Sequence, residues 1–251
     1  MKSLRSIFII LSILAMLGSL NAQDTEIAVE EQDETEESMK KKSRYMIGMG
    51  NDIWMDAPGN VDIRNYSPSF VFSLMFDSQL GKSPLTFGAG LGLQSNNLYS
   101  DAFIFENHVQ QKTAFNPIPD SLSYDKNKIS TTYLELPVEL RLRLGKEKEM
   151  TVAAGFKVGY LINSHTKYKG ENYLENPQTN NDKVKIKEHN INDLNKLRYT
   201  VTGRIGYKSF SVFAHYNLNP LFEEDQLVDL SNNAEPTNMY LITAGIIFSP
   251  F

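Results

Sequence analysis

The chain has 251 residues, a formal charge of −5 and an isoelectric point near 5.5. That acidity argues against a nucleic-acid partner, which needs a basic surface to neutralise phosphates, and a mean hydropathy of −0.34 excludes a bundle of spans of ~20 apolar residues each. The absence of cysteine removes disulfides, thiol catalysis, thiolate metal sites and a lipid-modified cysteine.

Lys2 and Arg5 precede an apolar run from Ile7 to Leu20, followed by Asn21-Ala22-Gln23. A basic start, an apolar stretch and a small residue at its end predict a secretory signal cleaved after Ala22. The run is short of the ~20 residues that would span a bilayer as a helix. Residues 23–43 then carry eight acids followed by Lys40-Lys41-Lys42, a net charge of −5, with no apolar periodicity. Such a segment buries too little to offset the entropy of ordering, so a disordered tether is expected.

From Arg44 the dominant period is two, the period of a strand with unlike faces. It is clearest from Thr132 to Leu144, where Leu134, Leu136, Val138, Leu140, Leu142 and Leu144 alternate with Tyr133, Glu135, Pro137, Glu139, Arg141 and Arg143. A helix would scatter these leucines around its circumference. Similar alternation predicts seven more strands near 45–55, 69–80, 85–97, 151–163, 197–207, 210–219 and 239–249. Their lengths match the ~9–11 residues that cross a bilayer at a tilt.

The predicted connections alternate in length. Short turns fall at Gly81-Lys82-Ser83, at 145–149 and at Lys208-Ser209, whereas 56–67, 99–128, 164–195 and 220–236 are long and polar. Short turns on one rim and long loops on the other predict an all-β, eight-stranded antiparallel transmembrane β-barrel, with short periplasmic turns and long extracellular loops. Shared faces across the turns set the register: Phe76 beside Ala89, Met75 beside Gly90, Leu140 beside Ala154, Glu139 beside Gly155, Tyr207 beside Phe210 and Arg204 beside Phe213. On the apolar faces, Phe76, Phe87, Tyr207, Phe210 and Phe248 fall near the short-turn rim. Phe70, Tyr160, Tyr199, Tyr216 and Tyr240 fall near the other. Two aromatic belts around an aliphatic band predict that the apolar face meets lipid. The opposite face, with Gly88, Gly90, Gly92, Gly155 and Gly159 among charged residues, would then line a narrow polar lumen.

The chain resembles the PorT-like outer-membrane β-barrel family of Bacteroidota, on its leader, its eight strands and the segment Tyr133-Leu-Glu-Leu-Pro-Val-Glu-Leu-Arg141. The resemblance implies an eight-stranded barrel inserted by the barrel assembly machinery, in contact with outer-membrane lipid and lipopolysaccharide. The name-giving member is associated with type IX secretion and gliding, so secretion-system proteins are expected partners. The last strand supplies an aromatic insertion signal at Tyr240, Ile246 and Phe248, with Phe251 beyond Pro250 on the other parity.

Chemistry is sparse. Gly88-Ala-Gly-Leu-Gly92 lacks the spacing and the Lys-Ser/Thr of a phosphate loop, and no histidine pair has metal-ligand spacing. Asn180-Asn181-Asp182 and Glu223-Glu224-Asp225 read as solvated loop residues rather than a calcium site. His215 with Ser211 or Thr202 is the one constellation that a lipid A-modifying barrel enzyme would use, and it lacks an orienting carboxylate. No cofactor, metal or catalytic site is expected. In the lumen, Lys157 is predicted opposite Pro137 with Glu135 and Glu139 diagonal to it, and Arg141, Arg143 and Arg204 on the same face, forming an ionic cluster that closes the interior. The expected function is that of a non-enzymatic envelope or secretion-associated component acting through loop and tether contacts. Passage of small solutes and lipid A modification are the alternatives.

Overall fold

A computed structural model describes residues 42–59, 61–81, 83–107, 112–145, 149–172, 183–191, 193–223, 227–228 and 238–250. The leader, the acidic segment up to residue 41, His108 and Phe251 lie outside the described residues. Twelve strands are described: β1 (Lys42–Met55), β2 (Pro68–Gln79), β3 (Leu85–Tyr99), β4 (Ala102–Asn107), β5 (Lys112–Pro117), β6 (Tyr124–Leu144), β7 (Met150–Glu171), β8 (Lys183–His189), β9 (Leu197–Tyr207), β10 (Phe210–Asn217), β11 (Leu227–Val228) and β12 (Tyr240–Phe248).

Eight of them close a ring. The antiparallel order is β6-β3-β2-β1-β12-β10-β9-β7, and the pairing of β6 with β7 joins the ends. The first and last strands meet from Ile47–Phe248 to Met55–Tyr240. Closure leaves no unpaired edge, a requirement for any sheet that crosses a lipid core. The connections over 80–84, 145–149 and 208–209 are short. In two of them Gly81 and Gly145 take left-handed φ of 61° and 90°, which glycine adopts without steric penalty. All six register pairs expected across these turns occur.

Burial is inverted relative to a soluble barrel. Leu134, Leu136, Val138 and Leu140 face outward and are exposed, while Glu135, Glu139 and Arg141 between them are buried. Nine of the ten belt aromatics are exposed on the outer surface, and Tyr240 is half-buried. An exterior this apolar is stable only against an apolar solvent, so the outer surface is a lipid-facing one.

Pro137 sits in mid-strand and cannot donate an amide hydrogen. The β3–β6 ladder lapses there, running from Ala89–Val138 to Gly92–Glu135, while β6 stays paired with β7 at Pro137–Lys157.

The stretches expected as loops at 99–128 and 164–195 contain strands instead. β6 and β7 run on together to the Tyr124–Gly170 pair, well past what a bilayer requires. β8 pairs with the upper half of β7, from His165–His189 to Glu171–Lys183. β4, β5 and β11 form a separate three-stranded sheet. At this end Val61, Leu98, Ala102, Phe115, Ile129, Leu194, Leu221, Phe222 and Met239 form a hydrophobic core, against which Trp54 packs. In the sequence these connections look polar, because their apolar residues are widely spaced and converge only in three dimensions.

Candidate functional site: a charged and filled lumen

The inward parity of each strand delivers polar side chains to the barrel axis in two tiers. In the tier nearer the short turns, Glu139 accepts from Arg204 at 2.6 Å and lies 3.1 Å from Arg141 Nε. Arg141 also pairs with Asp77, which lies 3.6 Å from both Arg44 and Arg143. Arg204 donates a further bond to the Ser211 hydroxyl at 3.0 Å.

In the tier nearer the long connections, the Glu135 carboxylate takes one cation on each oxygen. Lys157 Nζ is 3.0 Å from Oε2 and Arg198 Nη2 is 2.7 Å from Oε1. Lys157 also donates to Gln94 at 3.2 Å, and His215 Nδ1 lies 3.3 Å away. Arg198 donates to Asn96 at 2.6 Å and lies 3.9 Å over the face of the Tyr133 ring. Asn96 in turn donates to Asp52, which also accepts from the Thr243 hydroxyl at 2.6 Å and the Asn97 amide at 2.9 Å. The network thus links seven strands of the ring, all but β2.

Glu135 and Lys157 therefore form one ion pair of the upper tier, and Glu139, Arg141 and Arg204 belong to the lower one. Lys157 pairs with Glu135 and not with Glu139, which Arg141 and Arg204 hold. Asp77, Asp52, Arg44 and Arg198 join the cluster beyond the residues expected from the sequence. Arg198 lies six residues before Arg204 on β9, and Asp77 lies on the parity of Ser69 and Ser73 on β2, so strict counting by twos would have placed both inside. Of the expected insertion signal, Ile246 and Phe248 point outward and are exposed, and Tyr240 is half-buried at the opposite rim.

Little open space remains. Between the tiers Met46, Val71, Met75, Phe213 and Ile247 pack into an apolar layer. A hollow of about 20 Å³ lies beside Glu139, Lys157 and His215, room for roughly one water. Gly88 and Gly159 leave space for Arg141 and Tyr133 respectively, whereas a Cβ at Gly90 or Gly155 would strike the backbone of the adjacent strand. Eight strands enclose an interior that side chains can fill, and here they fill it. His215 and Ser211 lie four residues apart on β10, with their side chains engaged by Lys157 and Arg204. Among the described residues no three His, Asp or Glu side chains are grouped to hold a metal.

A closed antiparallel ring with a lipid-facing apolar exterior and an ion-paired interior defines an integral β-barrel of the outer-membrane class. Residues 16–224 match the outer membrane protein beta-barrel domain family, and the chain belongs to that family. No curated protein matches the chain.

Proposed function

We propose that this outer-membrane barrel is a non-enzymatic envelope component that works through its surface, in the manner of a PorT-like member of type IX secretion or gliding assemblies. The observation that carries this reading is the filled lumen: with the interior occupied by ion pairs and packed side chains, what the barrel can offer other molecules is its outer surface and its rims. An exported precursor cleaved after Ala22 and inserted by the barrel assembly machinery fits the leader and the outward-facing Ile246 and Phe248. With an even number of strands both chain ends fall on the short-turn side, so the acidic segment 23–43 would lie in the periplasm and the β4–β8 region outside the cell.

A deletion strain tests the role. Loss of secreted cargo or of gliding supports it, and altered solute sensitivity with normal secretion would favour passage instead. Protease added to intact cells should cut the long connections, over 99–128 or 164–195, and spare the acidic segment; the reverse pattern would overturn the topology. In planar bilayers the purified barrel should show no steady conductance, and stable openings would remove the case for a filled lumen. A deacylase or palmitoyl-transfer assay on lipid A should give no turnover; turnover abolished by His215→Ala would make the barrel an enzyme.

A further inference from the structure

The projecting β6–β7–β8 sheet carries a face of aligned lysines. Lys128, Lys167 and Lys187 stand directly opposite one another across the three strands, and Lys126, Lys169 and Lys185 form a second row. Lys183 follows on the same parity of β8, and His165 and His189 pair at the base of the array with ring centroids 5.7 Å apart. Directly opposed side chains on neighbouring strands have Cβ atoms about 5 Å apart, and like charges there destabilise the sheet. Asp125 offsets part of this charge through Lys169 at 2.9 Å and Lys183 at 3.4 Å.

These residues lie beyond the membrane-spanning part of the strands, and their titration reflects the crowding. Burial and the charges of Lys126, Lys167 and Lys187 push Lys128 down to about 8. Lys167 is lowered first by Lys185, and His165 falls to about 4 through desolvation and then Lys187 and Lys128.

The direction of the face is decisive. On β6, Lys126 and Lys128 share the parity of the lipid-facing Leu134 and Leu136. The register shift between Thr132 and Tyr133 sets Thr132 opposite Asn163 and Tyr133 opposite Leu161, which absorbs Ile162 and returns His165, Lys167 and Lys169 to that same side. The other side of this sheet is already covered: Tyr168 packs on Phe103 with centroids 5.0 Å apart, and Asn127 bonds the Ser100 and Ala102 carbonyls. The lysine face thus lies on the same side as the lipid-contacting wall, its first row six residues of β6 beyond Leu134, the partner of the belt residue Tyr160.

We infer that this lysine face binds the phosphorylated headgroups of lipid in the adjoining leaflet, with lipid A-type bisphosphates as the fitting class. A phosphate that the lipid beside the barrel carries outward past the polar step of Thr132, Asn163 and Ser130 meets the ammonium rows, and it supplies the charge that the sheet lacks. Compact lysine ammoniums suit phosphate as point charges, and basic groups near an anionic surface each add to binding. The whole-chain charge concealed this face, because residues 44–251 carry 22 acids against 20 Lys and Arg, and the segment 23–43 adds a further −5.

The inference rests on the outward placement proposed above only for which leaflet supplies the lipid. Purified full-length barrel in detergent is titrated with bisphosphorylated lipid A, dephosphorylated lipid A and inorganic pyrophosphate, with bound lipid read by native mass spectrometry. The expected result is saturable binding of the bisphosphorylated lipid, weakened about tenfold or more in the Lys128→Gln, Lys167→Gln, Lys187→Gln variant, and lost without the phosphates. Without lipid, that variant should resist heat at least as well as the parent, because the row of like charges is gone. Unchanged affinity of the variant, or equal binding of dephosphorylated lipid, would overturn the inference. Pyrophosphate binding as tightly as the lipid would make this a free-phosphate site and overturn it as well. The titration is blind to orientation in the cell, whereas the protease experiment reads only orientation, so the two failures are distinguishable.

Discussion

Glu135→Gln should destabilise the folded barrel by about 3–5 kcal/mol, the cost of stranding buried charge when one partner of an internal ion pair is removed. Glu135 is fully buried, and its two oxygens hold Lys157 and Arg198 separately. The substitution keeps the shape and removes the only charge that balances both cations in that tier, since Asp52 is reached from Arg198 only through Asn96. Lys157→Met should cost less, because Glu135 retains Arg198 and the methionine lies near an apolar layer that contains Met46 and Met75. In the double variant Glu135→Gln with Lys157→Met one stranded cation is gone, so the loss should fall short of the sum by about 1 kcal/mol or more. Glu139→Gln should not rescue Lys157→Met, because Glu139 pairs with Arg141 and Arg204 in the other tier. Urea unfolding of the lipid-reconstituted barrel, followed by its heat-modifiable mobility on gels, measures each value. A Glu135→Gln barrel as stable as the parent would show that water, and not ion pairing, satisfies the lumen charges.

The ring was legible in the sequence because lipid on one side and a polar lumen on the other impose opposite chemistry on alternate residues. All eight ring strands fall where alternation put them, and the hairpin registers follow from keeping like faces together. Above the membrane that contrast disappears. From Tyr124 to Thr132 one face of β6 bears lysines and the other bears Asn127, Ile129 and Thr131, so neither parity reads as apolar and the strand looks like a loop. The cap core was equally hidden, since Val61, Phe115, Leu194 and Phe222 come from four separate connections. In the lumen, the parity of each charge could be counted, but its height could not: Lys157 lies diagonal to both Glu135 and Glu139 in the register, and the choice between them depends on where Arg198 and Arg204 reach from β9. The lysine face had an intermediate status, with the alternation Lys183-Val-Lys-Ile-Lys187 written in the sequence and its alignment with Lys128 and Lys167 visible only across strands.

Gly245→Ala should impair closure of the ring, whereas Gly203→Ala should be close to neutral, although both exchange a strand glycine for the same residue. Gly245 of β12 stands opposite Gly50 of β1 at the seam between the first and last strands. A methyl group added to Gly245 would overlap the Met49 carbonyl oxygen and crowd the Gly50 Cα, both backbone atoms that no rotamer change can move aside. Gly50 is hemmed in too, its Cβ position lying 2.9 Å from the Ala244 carbonyl and 3.0 Å from Thr243 Cγ2. Relief would require the seam to part, and overpacking of this kind costs about 1–3 kcal/mol, more where backbone must shift. The seam is also the pairing that turns an open sheet into a barrel, so the cost falls on the step that removes the last exposed edges in lipid. At Gly203 the added methyl meets nothing within 4 Å and points to the lipid side, so its effect should stay within about 0.5 kcal/mol. Folding yield into vesicles, scored by the gel shift of unheated samples, should drop sharply for Gly245→Ala and match the parent for Gly203→Ala. Equal yields for the two variants would mean that the first and last strands are not held as closely as the Gly50–Gly245 pair requires.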